Sequence, residues 1–388
     1  MPVVNRFAEL SPAIAEWRRA LHAHPEILFE THRTSAFVAE KLRGFGCDEV
    51  ATGIGRTGVV GVIRGRSSAS GRVIALRADM DALPMAEETG LPHASRTPGA
   101  MHACGHDGHT AMLLGAAQYL AETRNFDGTA VVIFQPAEEG GGGGREMVED
   151  GMMERFGIEE VYGLHNMPGL PLGAFGIRPG PMLASTDLFT IHVTGRGGHA
   201  AQPHDCIDPI LAASQIVAAL QGIVARNTDP LKAAVVSVTS FRSESDAFNV
   251  IPSRVELRGT SRALDPGIRA LIAERIAAIV PNVGRAYGAE AVLDFRPGYP
   301  VTANDAGRAA FAAQVAAEVA GEVDTETPPI MGGEDFSYML NARPGAFIFL
   351  GNGDSARLHH PEYDFDDALI PVGCSYWVRL VETAMPAA

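Results

Sequence analysis

Apolar positions in the first half of the chain follow two alternating rhythms. Residues 12–21 and 34–42 carry them at helical spacing. Ser11 is the expected N-cap of the first helix, Pro12 its first residue, and Gly44 closes the second. Residues 58–63 and 73–78 are β-branched runs separated by Ser67-Ser68-Ala69-Ser70-Gly71, which predicts two strands and a turn. A helix is predicted over 110–120 and strands over 129–134 and 161–164. The 129–134 run is almost wholly apolar, as in a strand covered on both faces. This alternation predicts an α/β fold around a mostly parallel sheet. Near Ala184 the rhythm changes. Strand 188–193, helix 209–225, strands 233–239 and 255–260, helix 266–279 and strand 291–295 follow in the order β-α-β-β-α-β, the signature of a ferredoxin-like unit. Helix 306–319 and strand 346–350 then resume the first pattern. The chain is therefore expected to form a discontinuous larger domain, residues 1–183 and 296–388, interrupted by an α+β domain at 184–295.

Of the 388 residues, 46% are hydrophobic and 20% charged, a balance that can bury a sizeable core. The formal net charge of -15 argues against nucleic acid and anionic membranes as partners. No uninterrupted run approaches the ~20 apolar residues of a membrane helix. The most apolar stretch, 207–225, is broken by Asp208, Ser214, Gln215 and Gln221. The opening Met1-Pro2-Val3-Val4-Asn5-Arg6 carries no apolar signal core, so a cytoplasmic location is expected. Four scattered cysteines are no disulfide framework, and Cys104 keeps company of another kind.

Residues with ligand chemistry gather where predicted strands end, the usual place for sites in α/β sheets. Asp79 and Asp81 follow strand 73–78; their i, i+2 spacing suits either a shared direction or two solvated loop acids. His102, Cys104, His106, Asp107 and His109 share nine residues with Thr110 ahead of a helix. Thiolate and imidazole at Cys104-Gly105-His106 suit zinc and its borderline-soft neighbours. The plainer reading is a polar helix start capped by Asp107 or Thr110. Glu138 and Glu139 follow strand 129–134, and adjacent glutamates can divide labour between metal binding and general base. Their plainer reading is a solvated pair before the glycine run 140–144. Single histidines follow at His165 and at His359-His360. His109, His192 and His204 are read as ordinary structural histidines.

Seven segments then coincide with one family. They are Arg-Ala-Asp-Met-Asp-Ala-Leu-Pro from Arg77, His-Ala-Cys-Gly-His-Asp-Gly-His from His102 and Gln-Pro-Ala-Glu-Glu from Gln135. Gly-Arg-Gly-Gly-His-Ala-Ala-Gln-Pro-His from Gly195, Asn-Val-Ile-Pro from Asn249, Gly-Gly-Glu-Asp-Phe from Gly332 and Leu-His-His-Pro from Leu358 complete them. In this order they resemble the aminoacylase/carboxypeptidase G metallopeptidases. Within these the chain looks like the amidohydrolase branch of hippurate hydrolases, N-acyl-amino-acid amidohydrolases and auxin-conjugate hydrolases. The resemblance implies a dinuclear-metal exopeptidase fold, with a mixed central sheet flanked by helices and an inserted ferredoxin-like dimerisation domain. It implies two divalent metal ions, zinc or manganese, with nickel or cobalt also compatible. Cys104, His106, Glu139, His165 and His359 match the ligands, with Cys104 as bridge and His359 preferred to His360. Glu138 matches the general base and Asp81 the acid that orients a ligand. His199 matches a histidine that reaches the partner subunit's site in a homodimer and would serve as oxyanion donor. Asn249 and Arg262 match contacts to the substrate's carboxylate side. Much of the wider family has histidine where Asp79 stands and a bridging aspartate where Cys104 stands, so Asp79 is left open as a ligand.

The expected reaction is metal-assisted cleavage of a small N-acyl amino acid. A dipeptidase or exopeptidase on the same scaffold is the alternative, favoured less by the Asp79/Cys104 pattern. A non-catalytic metal-binding protein would not need Glu138.

Overall fold

The run predicted at 129–134 forms the strand Thr129–Gln135, buried from Ala130 onward. Successive side chains point to opposite faces, so Val131 and Ile133 need one cover and Val132 and Phe134 another. In the computed structural model, which describes residues 4–321 and 323–387, this strand lies inside an eight-stranded sheet. It pairs in parallel with Val73–Asp79, that strand with Glu160–Met167, and that with Gly345–Gly351. On its other side the pairing turns antiparallel, to Gly58–Arg64 and then Glu49–Ile54. The sheet is mixed, because only three residues join those last two strands and so short a link permits only a hairpin. Glu49–Ile54 escapes sequence reading because its half-exposed course shows no clean apolar alternation.

The helix Arg6–His22 begins before the predicted start. Pro12 lies inside it, and Ser11 Oγ donates back to the Phe7 carbonyl instead of capping. The buried stripe Phe7, Leu10, Ile14, Arg18 and Leu21 runs straight across Pro12, and its burial outweighs the hydrogen bond that proline forfeits. This helix packs with His106–Thr123 and with Ile370–Ala384. The latter is not among the predicted helices; it is buried along most of its length.

The chain divides into two units. The first comprises Met1–Met182, Ala303–Pro328 and Asp335–Ala388, and holds the large sheet. The second comprises Leu183–Thr302 and Pro329–Glu334. It is built on a four-stranded antiparallel sheet, in the order Ala234–Ser243, Arg254–Ala263, Ser185–Thr194, Glu290–Pro297. With helices after Ser185–Thr194 and after Arg254–Ala263, this is the ferredoxin-like arrangement. Both helices start at an aspartate cap, Asp208 and Asp265. Their apolar stripes, among them Ala212, Ile216, Ile272 and Ile276, pack on Ile191, Val193 and Leu257. Pro209–Asn227 is long and apolar enough, by length and composition, to cross a membrane. In this fold its Ala212, Ala213, Ile216 and Leu220 face is buried on the sheet.

Candidate metal centre

Three parallel strands, Val73–Asp79, Thr129–Gln135 and Glu160–Met167, end side by side. The segments that continue or close them carry Asp81, Glu138, Glu139 and His165. Cys104 and His106 arrive from the start of the His106–Thr123 helix. The turn between them needs Gly105: its φ is +87°, and a Cβ there would lie 2.2 Å from Asn166 Nδ2. His359 is brought in by its own N–H, which donates to the Ala103 carbonyl at 2.8 Å. Ala137 and His359 both adopt left-handed backbone, φ 54° and 63°. Side-chain-bearing residues seldom adopt this conformation, and such strained positions cluster at functional sites.

Two groups of three potential ligands form around one sulfur. Ligand atoms of Cys104, His106 and His165 lie within 4.8 Å of one another, and so do those of Cys104, Glu139 and His359. Cys104 Sγ stands 3.4 Å from His165 Nε2. A thiolate common to two groups is what a bridging ligand requires. His106, Glu138 and Glu139 form a further group, which puts the second glutamate-borne carboxylate beside the first.

The hydrogen bonds behind the histidines decide which nitrogen faces inward. His106 Nδ1 donates to the Asp81 carbonyl at 2.8 Å, and His165 Nδ1 donates to the Asn166 carbonyl at 2.6 Å. A carbonyl only accepts, so each Nδ1 carries a proton and each Nε2 is the nitrogen that can offer a lone pair to a metal. His106 Nε2 is buried without a hydrogen-bond partner. Such an orphaned ring nitrogen amid carboxylates and a thiol suits a cation, so these residues fit a pair of divalent metal ions.

Electrostatics agree. Burial works against a charged His106, yet Asp79, a hydrogen bond to Asp81 and then Glu139 outweigh it and push its pKa up to about 10. The site thus has negative charge to spare and takes a proton when no metal is bound. Burial, then His109, holds His165 well below its usual value, in the neutral form that ligates. Burial and then the carboxylates of Glu139, Glu138 and Asp79 push the Cys104 thiol well up. Burial opposes ionisation of Glu139, but the His359 hydrogen bond and His106 bring its pKa down.

Asp81, expected as the acid that orients a ligand, also holds the glutamate loop. Its carboxylate accepts the Glu138 N–H at 2.8 Å and the Glu139 N–H at 3.1 Å. It is the main-chain carbonyl of Asp81 that takes the His106 proton, the nearer carboxylate oxygen being 3.7 Å away. The tight turn after the strand presents the carbonyl to the ring and the side chain to the glutamate loop. Asp79 is engaged on both oxygens, by Arg77 Nη1 and by His109 Nδ1, each at 2.7 Å. His109 Nε2 in turn accepts the Asn166 N–H at 2.9 Å. Neither Asp107 nor Thr110 caps the helix: Asp107 Oδ2 meets His22 Nδ1 at 2.8 Å, and Thr110 Oγ1 donates to the Asp79 carbonyl. His360 is exposed and lies by Glu362, not in the ligand groups.

His199, Asn249 and Arg262 belong to the second unit. His199 pairs with Val250 in a short two-stranded ribbon, next to Asn249, and both are exposed. Arg262 is half-buried on the helix-free face of the four-stranded sheet, in the wall of a depression of about 630 Å³ with Thr260 and Arg258. Sequence reading missed Asn166 and Tyr363. The Tyr363 hydroxyl donates to Asn166 Oδ1 at 2.7 Å, and Asn166 Nδ2 donates to the Cys104 carbonyl at 2.6 Å. Neither residue belongs to a type that signals ligation, and only adjacency to His165 could have pointed to Asn166.

Known proteins share this arrangement. Residues 75–383 match the sequence profile described as peptidase family M20/M25/M40. A hippurate hydrolase of Campylobacter jejuni is 42% identical, over 98% of each chain. An N-acetyl-L-cysteine deacetylase of Bacillus subtilis is 40% identical, over 93% of this chain and 85% of that one. Among solved structures, a dinuclear metal-binding peptidase of the M20 family from Bacillus subtilis superposes with a TM-score of 0.84 at 35% identity. That match covers 98% of this chain and 100% of the other.

Proposed function

This chain belongs to peptidase family M20/M25/M40, and we propose that it is a metal-dependent amidohydrolase that frees amino acids from small N-acyl amino acids. The observation that carries this reading is the pair of ligand groups joined at Cys104 beside Glu138. The relatives' names, hippurate hydrolase and N-acetyl-L-cysteine deacetylase, point to the same substrate class.

Cys104, His106, Glu139, His165 and His359 would hold two divalent ions, and their mixed sulfur, nitrogen and oxygen donors suit zinc or manganese. When bound there, such ions would supply Lewis acidity toward the scissile carbonyl and would make a water more acidic. Glu138 takes the proton and delivers it to the leaving nitrogen. Its backbone is steadied for this by Asp81. His199 Nδ1 accepts the Ala201 N–H at 3.1 Å, which leaves the ring proton on Nε2. That tautomer supports its role as donor to the oxyanion. Its exposure supports action on a partner subunit's site in a homodimer. Asn249 and Arg262 are assigned to the carboxylate side of the substrate. A cytoplasmic location fits the four free cysteines.

The test is hydrolysis of N-benzoylglycine and N-acetyl amino acids by purified protein, before and after chelation, with zinc or manganese restored. Turnover abolished by chelation and rescued by metal is expected. Absence of turnover on every N-acyl amino acid with two metals bound, or faster cleavage of dipeptides, would overturn the reading.

A further inference from the structure

We infer that Asp335 is a positioning residue for the loop that carries Glu138 and Glu139, acting through Gln135, Gly144 and Arg77. The inference rests on the proposed roles of those two glutamates.

The loop leaves the sheet at Gln135 and enters the helix Gly143–Glu149. It holds left-handed backbone at Ala137, Gly140 and Gly142. At Ala137 that conformation costs roughly 1–2 kcal/mol, so the loop would relax unless held. Asp81 holds its middle. Asp335 holds both its ends: Oδ1 accepts from Gln135 Nε2 at 2.7 Å, and Oδ2 accepts the Gly144 N–H at 2.8 Å. Only glycine permits the second approach, since a Cβ on residue 144 would lie 2.9 Å from the Asp335 carbonyl oxygen.

A second arm runs beneath the ligands. Arg77 Nη2 donates to Asp335 Oδ1 at 3.1 Å, Nε to Gln135 Oε1 at 2.8 Å and Nη1 to Asp79 Oδ2 at 2.7 Å. Asp79, Arg77, Gln135 and Asp335 are all fully buried. Asp79 Oδ2 lies 3.6 Å from His106 Nε2, the nitrogen left open for a metal. Arg77 therefore draws Asp79 away from that nitrogen while Asp335 and Gln135 keep the guanidinium in place. From Asp79 the chain of bonds continues through His109 to Asn166, which grips the Cys104 carbonyl. One buried network thus connects the segments bearing Glu139, His106, His165 and Cys104.

The test is Asp335→Asn. The amide keeps size and one acceptor but turns an N–H toward a donor, Gly144 N–H or Gln135 Nε2. Zinc affinity, measured by chelator competition without substrate, is expected to fall about 10–100-fold, as is usual for partners behind metal ligands. kcat per zinc-loaded site should fall with it while KM stays near the parent value. A merely structural role predicts a lower Tm with parental zinc affinity and kcat in the folded protein, and that result would overturn the inference. Should this variant not fold, Gln135→Met removes only the neutral amide between Arg77 and Asp335; unchanged zinc affinity there overturns it equally. Zinc affinity is independent of the substrate, so failure here is distinguishable from failure of the proposed reaction.

Discussion

Replacing Asp81 by asparagine separates positioning from folding. Each carboxylate oxygen of Asp81 receives one backbone N–H, from Glu138 and from Glu139. Hydrogen bonds to a charged partner are worth about 1.5–3 kcal/mol each. Asparagine keeps one acceptor and sets an amide N–H against the other donor, so about 1.5–3 kcal/mol of loop support is lost. At 1.4 kcal/mol per tenfold, the productive loop becomes ~10–100 times rarer and kcat falls accordingly. Stability responds differently. Burial raises the Asp81 pKa, so the charged group is costly in place, and a neutral amide relieves that cost. The His106 tautomer is also untouched, because the main-chain carbonyl holds it. The expected outcome is a Tm near the parent value together with a 10–100-fold loss of kcat on N-benzoylglycine at saturating zinc. A kcat within about twofold of the parent, against the smallest loss of ~10-fold, would refute the reasoning. So would a loss of kcat matched by unfolding.

Three further outcomes are expected. Glu138→Gln should lower kcat by about 10²–10⁴-fold and leave zinc affinity unchanged, since Asp81 holds the backbone and not the side chain; near-parental kcat would remove Glu138 as the base. Burial and the neighbouring carboxylates keep Cys104 protonated at neutral pH without metal, so zinc loading must expel that proton and tighten as pH rises; calorimetry in buffers of different ionisation enthalpy reads it, and zero proton release would contradict a Cys104 ligand. His22 faces Asp107 on one nitrogen and Glu87 on the other; burial opposes its charge, but Asp107 and Glu87 together outweigh burial and raise its pKa to about 10. The stability this contributes is full below the ordinary histidine value and is lost as pH climbs toward 10, a change on the order of 5 kcal/mol. His22→Gln should flatten that alkaline slope in Tm, and an unchanged slope would exclude the pair as its source.

Most of the proposed ligand set could be nominated from the chain because each candidate sits in a short motif at the end of an apolar run. Strand periodicity located the ends, and residue chemistry named the donors. What holds the donors was hidden, because those partners are distant in sequence. Asn166 grips the Cys104 carbonyl from 62 positions away, and Asp335 meets Gln135 from 200. The segment from Gly332 could be matched as a family motif without any hint that its Asp335 carboxylate ends under the glutamate loop. His22 gave no physical clue to its role until the fold set Asp107 against it.

Tautomers mark the deeper boundary. A sequence can nominate His106, His165 and His109, but a histidine ligates only through the nitrogen that its neighbours leave unprotonated. For His106 and His165 that choice is made by main-chain carbonyls, of Asp81 and Asn166. A carbonyl belongs to every residue type, so no side-chain pattern can reveal it. For His109 the opposite choice follows from the same logic. Its Nδ1 proton goes to Asp79 and its Nε2 lone pair is taken by the Asn166 N–H. Both of its nitrogens are thus engaged by the protein, although His109 stands one helical turn from His106 and looks equally suited in the motif. The difference between a proposed ligand and its neighbour therefore rests on a few backbone groups that only the folded chain sets in place.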